Sequence, residues 1–146
     1  MRIEKMTNKL RKALSEAQSL ALSKKQNQIE PAHLLFSLLE QQDGSTTQLL
    51  NQAGADLHKL KALLKAKLGS FAVMHQHDGA VQASAELVKL FNRAELSAQK
   101  HQDRFIATEW VLLSFFEDTA YKKLLTHTGA TKQALMDAIT RIRGTE

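Results

Sequence analysis

An internal duplication constrains this 146-residue chain more than any other feature of its sequence. Residues 7–40 recur as residues 84–117 at a constant offset of 77, and after a two-residue deletion the repeat continues at an offset of 75. Identical pairs run along both copies: Leu10 and Leu87, Ala17 and Ala94, Ile29 and Ile106, Glu40 and Glu117, Gly54 and Gly129. A duplication of this length predicts two copies of one structural unit, packed against each other.

The apolar residues of both copies recur at helical spacing and indicate four helices per copy. In the first copy we expect helices to begin at Thr7, Pro31, Ser45 and Asp56, with Gly69 closing the fourth. In the second copy we expect helices to begin at Ser84, Thr108 and Thr131, with Gly129 ending a short helix before the last one. The sequence predicts an all-α fold of two tandem four-helix repeats with pseudo-twofold symmetry, at about 7–69 and 84–144, joined by a polar linker at 70–82. We expect a groove at the seam between the repeats.

Composition narrows the class of partner. The net charge is +5, but the lysines are dispersed along the chain, as on an ordinary solvated surface, so we expect no nucleic-acid partner. The longest apolar run, residues 110–116, is too short to span a bilayer, so we expect no membrane contact and a cytoplasmic location. With no cysteine, disulfides and thiolate metal sites are excluded.

The chain carries no motif that predicts an enzyme. It lacks the glycine-rich loop ending in Gly-Lys-Ser/Thr, so we expect no nucleotide cofactor in this domain. His75 and His77 have metal-ligand character but no positioned third ligand, and a solvated loop is the favoured interpretation. A Ser/His/Asp triad stays open, although no nucleophile motif points to one.

The second copy holds one cluster for which two interpretations stay open. Trp110, the only tryptophan, follows Glu109 at the start of a helix and lies downstream of Asp103. One interpretation is a partly buried tryptophan beside a first-turn carboxylate that stabilises the helix dipole. The other is an aromatic anchor rimmed by acidic residues in a peptide-binding groove.

The motifs of both copies resemble the N-terminal domain of the Clp/Hsp100 AAA+ chaperones over essentially the whole chain. The most specific segment is Ile29-Glu30-Pro31-x-His33-Leu34-Leu35, and in the second copy Ala98-Gln99-Lys100 and residues 106–109 fit the same pattern. The resemblance is closest to the disaggregase branch (ClpB), because the ClpA and ClpC relatives tend to carry Thr-Glu-His in that segment. The linker departs from the pattern by lacking proline, and Ser97 stands where relatives are often aliphatic.

The resemblance implies a non-catalytic module that engages unfolded or aggregated client protein. Thr7, Asp103 and Glu109 fall at family positions implicated in chaperone activity, while Phe91 and Trp110 occupy positions that line the client groove. In the family this module sits on a flexible linker above a hexameric ATPase, which holds the ATP. The alternative is a surface that docks one folded adaptor protein, as in ClpA and ClpC. We expect the isolated domain to be monomeric, and the end just after Gly144 to reflect a piece cut at a domain boundary.

Overall fold

A computed structural model of the chain describes residues 1–76 and 78–144. Within these ranges eight α-helices follow one another in two sets of four. The first set is α1 (Asn8–Ser23), α2 (Pro31–Glu40), α3 (Thr46–Gln52) and α4 (Leu57–Ser70). The second set is α5 (Ala85–Lys100), α6 (Thr108–Phe115), α7 (Thr119–His127) and α8 (Lys132–Arg143). A 3-10 turn at Ile3–Lys5 precedes them, and two short strands, β1 (Gln28–Ile29) and β2 (Gln82–Ala83), join the sets. The predicted all-α fold is confirmed.

The helix starts follow the capping residues of the sequence. Four side chains accept a hydrogen bond from the backbone N–H three residues on, at 3.1–3.3 Å: Thr7, Asp56, Ser84 and Thr131. Each such cap stabilises its helix by about 1 kcal/mol. Ser45 precedes α3 without a side-chain cap bond. The expectation that Gly69 closes α4 is wrong, because α4 runs through Gly69 to Ser70 before the chain leaves the helix.

Reciprocal hydrogen bonds relate the two repeats at the turns that follow α3 and α7. The Asp56 N–H donates to the Thr128 carbonyl at 2.9 Å, and the Thr131 N–H donates to the Ala53 carbonyl at 3.2 Å. Because Asp56 and Thr131 are equivalent positions, as are Ala53 and Thr128, the same bond is made in both directions. This exchange is the signature of a pseudo-twofold axis and agrees with the predicted symmetry.

Gly54 and Gly129 lie at a close approach of the two repeats. Their φ angles are +101° and +102°, in the left-handed region that favours glycine. A Cβ atom on either residue would lie 2.7 Å from the carbonyl oxygen of the other. The duplicated glycine is therefore required by backbone conformation and by contact at the same time.

Two short parallel backbone pairings were not foreseen in the sequence. β1 pairs with β2 in the register Gln28 with Gln82 and Ile29 with Ala83. The equivalent pairing at the other end of the molecule is a single bridge between Met6 and Ile106. Strands of two residues have no apolar alternation to reveal them. The predicted linker, residues 70–82, thus ends in a strand that ties the second repeat to the first.

The core is continuous across both repeats, and the second helix of each is its centre. In α2, eight of ten residues are buried, including Leu34, Leu35 and Leu38, in line with its apolar circumference. In α6, six of eight residues are buried. Among residues 1–76 and 78–144, no helix combines the length and apolarity needed to cross a bilayer. The limits given above for the two repeats stay a prediction.

Candidate binding site in the second repeat

Trp110 lies in the first turn of α6 and is held by two neighbours. Its indole Nε1 donates to Asp103 Oδ2 at 2.7 Å, and its ring stacks on His101 with centroids 4.2 Å apart. Asp103 occupies the turn after α5, where Gln102 adopts a φ of +59° and the Asp103 N–H donates to the Ala98 carbonyl at 2.8 Å. Trp110 is only 2% exposed, so the indole is a positioned wall of the site and not a protruding anchor.

Arg143, from the last turn of α8, joins the two predicted acidic residues and covers the tryptophan. Its Nη1 donates to Glu109 Oε2 at 2.7 Å, and its Nη2 donates to Asp103 Oδ1 at 2.5 Å. Its guanidinium carbon lies 4.9 Å from the centroid of the Trp110 ring, within cation–π range. Burial alone would lower the pKa of Arg143, but the hydrogen bonds to Glu109 and Asp103 outweigh it and raise that pKa.

In the first repeat, the positions equivalent to Trp110 and Asp103 are buried from solvent. His33 is equivalent to Trp110 and Gln26 to Asp103, and here the His33 Nε2 lies 2.7 Å from Gln26 Oε1. The Gln26 amide also donates to the carbonyl of Leu68, which is equivalent to Arg143, at 2.9 Å. His33 is 0% and Gln26 3% exposed. The duplicated hydrogen bond is thus neutral and buried in the first repeat.

In the second repeat the equivalent cluster is charged and partly open. The side chains of Asp103 and Glu109 are each 17% exposed, and that of Arg143 is 34% exposed. Two carboxylates and one guanidinium leave the cluster with a formal charge of −1. Since the fold is satisfied by a neutral, sealed version of this cluster, packing alone does not require the charges in the second copy.

A groove bounded by α5, α6 and α8 opens beside this cluster; we call it the α5–α6–α8 groove. It consists of two adjoining clefts of about 200 and about 270 Å³ that share three lining residues: His101, Leu113 and Met136. Met136 is 41% exposed and, with the edges of Leu113 and Ile139, makes the apolar floor. This groove lies within the second repeat; at the seam between the repeats, where we expected a groove, there is a separate cleft between α4 and α7.

The far end of the groove is polar and rich in charge. Its lining residues there are Arg93, Ser97, Lys100, Glu117 and Lys132. Glu117 is paired with Lys132 at 2.5 Å, and that hydrogen bond lowers the pKa of the carboxyl. Ser97 is therefore part of the polar end of the groove.

Three of the five predicted site residues come together, and two do not. Asp103, Glu109 and Trp110 form the cluster described above. Thr7 caps α1, and its N–H donates to the Ile106 carbonyl at 3.1 Å, so it is tied to the loop that carries Asp103. Phe91 is 1% exposed in the core, which does not support the expectation that it lines an open groove.

Sequence reasoning missed the residues that complete the site. In the sequence, Arg143 is a basic residue in the last turn of a helix. Such a residue interacts favourably with the helix dipole whichever way its side chain points, so its position does not indicate a site. Met136 and Leu113 read as ordinary helical apolar residues. The only signal that could have found them is the duplication itself, because Arg143 stands where the first copy has Leu68.

No group of three or more metal-ligating side chains is present among residues 1–76 and 78–144. His77, the second histidine of the pair weighed above, lies outside the described residues.

Comparison with known proteins places these observations in a family. The profile described as Clp repeat (R) N-terminal domain matches residues 5–128. The chain is 43% identical over 145 residues to the chaperone protein ClpB of Pseudomonas putida, a match that covers 99% of this chain. The same match covers 17% of that protein, so the chain spans about a sixth of the length of this curated relative.

Solved structures share the fold. The Hsp104 N-terminal domain from Candida albicans has a TM-score of 0.84 at 18% identity, covering 97% of this chain and 93% of that one. A ClpV N-domain solved in complex with a VipB peptide has a TM-score of 0.73 at 20% identity, covering 91% of this chain and 83% of the other. At these identities the likeness concerns the fold alone.

Proposed function

Since the chain belongs to the Clp repeat N-terminal domain family and matches the N-terminal region of ClpB, we propose that it is the substrate-recognition domain of a ClpB-type disaggregase. The observation that carries the proposal is the α5–α6–α8 groove, in which an exposed Met136 lies beside the Asp103–Glu109–Arg143 cluster. Its clients are unfolded or aggregated protein segments. The domain itself is non-catalytic, and it passes clients to the ATPase ring of the full-length protein.

An unfolded segment lacks partners for its apolar side chains and for its backbone amides and carbonyls. The groove offers both kinds of contact. Apolar client side chains gain about 25 cal/mol for each Å² of apolar surface removed from water on the Met136 and Leu113 floor. Methionine suits clients of varied shape, because its flexible thioether adapts to irregular surfaces. Of the charged cluster, Arg143 lines the groove and donates to client carbonyls, and the exposed parts of Asp103 and Glu109 next to it accept hydrogen bonds from client amides at the groove edge. Thr7 contributes through the loop that it anchors, and Phe91 contributes by packing α5, which bounds the groove, into the core.

The small size of the groove predicts weak and promiscuous binding. Clefts of about 200 and 270 Å³ hold only a few side chains, well below the area of a stable protein interface. Weak binding suits a domain that must release its client to the ATPase. In a hexamer, six tethered domains would raise the effective concentration and supply avidity without further contacts. ATP and the hexameric assembly belong to the rest of the full-length protein.

A second candidate function is docking of one adaptor protein. It is favoured by the structure of a ClpV N-domain with a VipB peptide, in which a domain of the same fold binds a segment of a particular partner. The two functions differ in the number of ligands. A client-binding domain binds many unrelated unfolded chains, whereas an adaptor-docking domain binds one partner and no denatured proteins.

The test uses Trp110 as the reporter, because it is the only tryptophan and forms one wall of the groove. The domain is titrated with unfolded polypeptides that lack tryptophan, and the Trp110 emission is followed. Met136→Gln should weaken client binding by about 1 kcal/mol or more, because it removes exposed apolar floor. Ile142→Gln is the matched control, because Ile142 is 44% exposed on the same helix but does not line the groove.

Three outcomes discriminate among the possibilities. A saturable emission change with several unfolded chains, weakened by Met136→Gln and not by Ile142→Gln, supports the client groove. If Met136→Gln and Ile142→Gln weaken binding equally, the α5–α6–α8 groove is not the client-binding site. If denatured chains leave the emission unchanged and one folded partner shifts it, the adaptor-docking function replaces the first.

A further inference from the structure

The positive charge of the chain is concentrated on two neighbouring helices, α4 and α7. Together these helices contain six lysines and no aspartate or glutamate: Lys59, Lys61, Lys65, Lys67, Lys122 and Lys123. The other 14 of the 20 lysines and arginines lie elsewhere in the chain, as do all 15 acidic residues, so these charges nearly cancel. The net charge of +5 therefore resides on α4 and α7, and the rest of the protein is close to neutral.

The duplication shows that the fold does not need these lysines. The equivalent positions in α3 and α8 are Thr47, Gln48, Ala134, Met136, Thr140 and Ile142, none of which is charged. At each of the six positions, therefore, one copy folds with an uncharged residue where the other has a lysine: four of the lysines belong to the first copy and two to the second. Because like charges on one surface repel each other, a cluster that folding does not require points to a ligand of opposite charge.

The lysines have few partners within the protein. Among the residues that the structure describes, Lys61 is the only one of the six in an ion pair, with Glu40 at 3.8 Å. Lys67 places its Nζ 4.9 Å from the Tyr121 ring and so links α4 to α7. The carboxylate of Asp118, at the start of α7, is engaged in capping the N–H groups of the first helical turn. The ammonium groups are therefore available to an external ligand.

An apolar cleft of about 990 Å³ lies between α4 and α7 in the middle of this charge. Leu63 and Leu124, both half-buried, line it together with Ala120, and Lys122 and Lys123 stand at its edge. Along α4, Lys59 and Lys67 precede and follow Leu63 by four residues and so share its stripe of the helix. The result is an apolar cleft with a cationic rim.

We propose that this α4–α7 cleft docks an acidic, amphipathic segment of a partner protein. Apolar side chains of the segment fill the space against Leu63 and Leu124, while its aspartates and glutamates meet the lysine rim. A nucleic acid fits the charge but gains little from the aliphatic floor of Leu63, Ala120 and Leu124, since His127 is the one lining side chain on which a base could stack. The α4–α7 cleft shares no lining residue with the α5–α6–α8 groove, so the two proposals are independent.

The experiment compares two variants that remove equal charge. Lys122→Thr with Lys123→Gln replaces rim residues by their equivalents in the first copy, which that copy already tolerates. Lys12→Gln with Lys89→Gln removes two exposed lysines of α1 and α5 outside the cleft. The probe is a synthetic fluorescein-labelled amphipathic helix with Leu and Phe on one face and Glu and Asp on the other. A matched peptide carries Gln and Asn in place of Glu and Asp.

Binding is measured by fluorescence anisotropy, with far-ultraviolet circular dichroism to confirm that each variant is folded. We expect the acidic peptide to bind, the rim variant to weaken it at least about threefold, and the distant variant to weaken it less. The neutral peptide should bind more weakly than the acidic one. Met136→Gln should leave the preference for the acidic over the neutral peptide unchanged, which separates this test from that of the client groove.

Four results would overturn the proposal. The first is that the acidic peptide does not bind, and the second is that the acidic and neutral peptides bind equally. The third is that the two lysine variants weaken binding equally. The fourth is that a short duplex DNA or phosphatidylserine vesicles bind although the acidic peptide does not. Equal weakening would mean that only the overall charge matters. Preference for DNA or vesicles would assign the lysines to a phosphate ligand.

Discussion

The stability of this protein should fall between pH 7 and pH 5 because of one buried histidine. His33 is 0% exposed, and both of its ring nitrogens are already used. Its Nδ1 accepts from the Glu30 N–H at 2.8 Å, which leaves the proton on Nε2, where it faces Gln26 Oε1 at 2.7 Å. Protonation would place a second ring N–H against a backbone donor. Burial, with the nearby charge of Lys24, lowers the pKa of His33 to about 4.

The sign and size of the effect follow from proton linkage. The pKa of histidine is about 6.5 in the unfolded chain, so between pH 6.5 and 4 the unfolded state binds a proton that the folded state does not. The stabilisation is complete above pH 6.5 and is lost as the pH falls toward 4. The loss is about 2 kcal/mol between pH 7 and pH 5, and about 3 kcal/mol over the whole window.

The assay is urea unfolding at a series of pH values from 7 to 5, followed by circular dichroism. His33→Gln should remove most of the pH dependence, because glutamine does not titrate and can accept from the Glu30 N–H as the third residue of a capping box. His58→Gln, which changes an exposed histidine of α4, is the control and should leave the slope intact. Staying above pH 5 avoids the carboxylates, whose protonation acts at lower pH. If wild type and His33→Gln lose stability in parallel between pH 7 and 5, the reasoning is refuted.

Two further variants test the site and the symmetry axis. Arg143→Gln should destabilise the domain by about 1 kcal/mol and change the Trp110 emission, because it uncovers the indole and leaves two carboxylates without their cation; emission and unfolding scans check this, and unchanged emission would contradict the arrangement. Gly54→Ala should cost about 2 kcal/mol or more, since its φ is +101° and its Cβ would meet the Gly129 carbonyl at 2.7 Å. Gly69→Ala, in open space within α4, should instead stabilise by about 0.5–1 kcal/mol, and unfolding midpoints that fail to diverge would contradict the close approach.

The fold could be predicted well because its signals are local or repeated. Caps such as Thr7 and Asp56 act on the helix that immediately follows them, and the duplication predicts two equivalent units without any knowledge of contacts. The strand pairings escaped prediction, since two residues carry no periodicity. Gly69 was misread as a helix end for a related reason: glycine permits a helix to stop but does not require it.

In the candidate site, too, the residues that are close in sequence could be predicted, and those brought together by helix packing could not. Asp103, Glu109 and Trp110 are close in sequence and lie within one loop and one helical turn, so their proximity could be predicted. Arg143 joins them only because α8 packs against α6, a contact between segments more than 30 residues apart. The depth of Phe91 in the core was likewise invisible, because periodicity shows that a residue faces inward but not how much chain covers it.

The sequence by itself determined the helices, their caps and the pairing of two equivalent repeats, because these depend on local backbone chemistry and on the duplication. Tertiary structure alone decided that these equivalent positions form a buried cluster in one repeat and a partly exposed cluster in the other. It also decided where the lysines of α4 and α7 meet around an apolar cleft. Those properties depend on which distant side chains share a surface, and burial, charge pairing and cleft shape are set only when the helices pack.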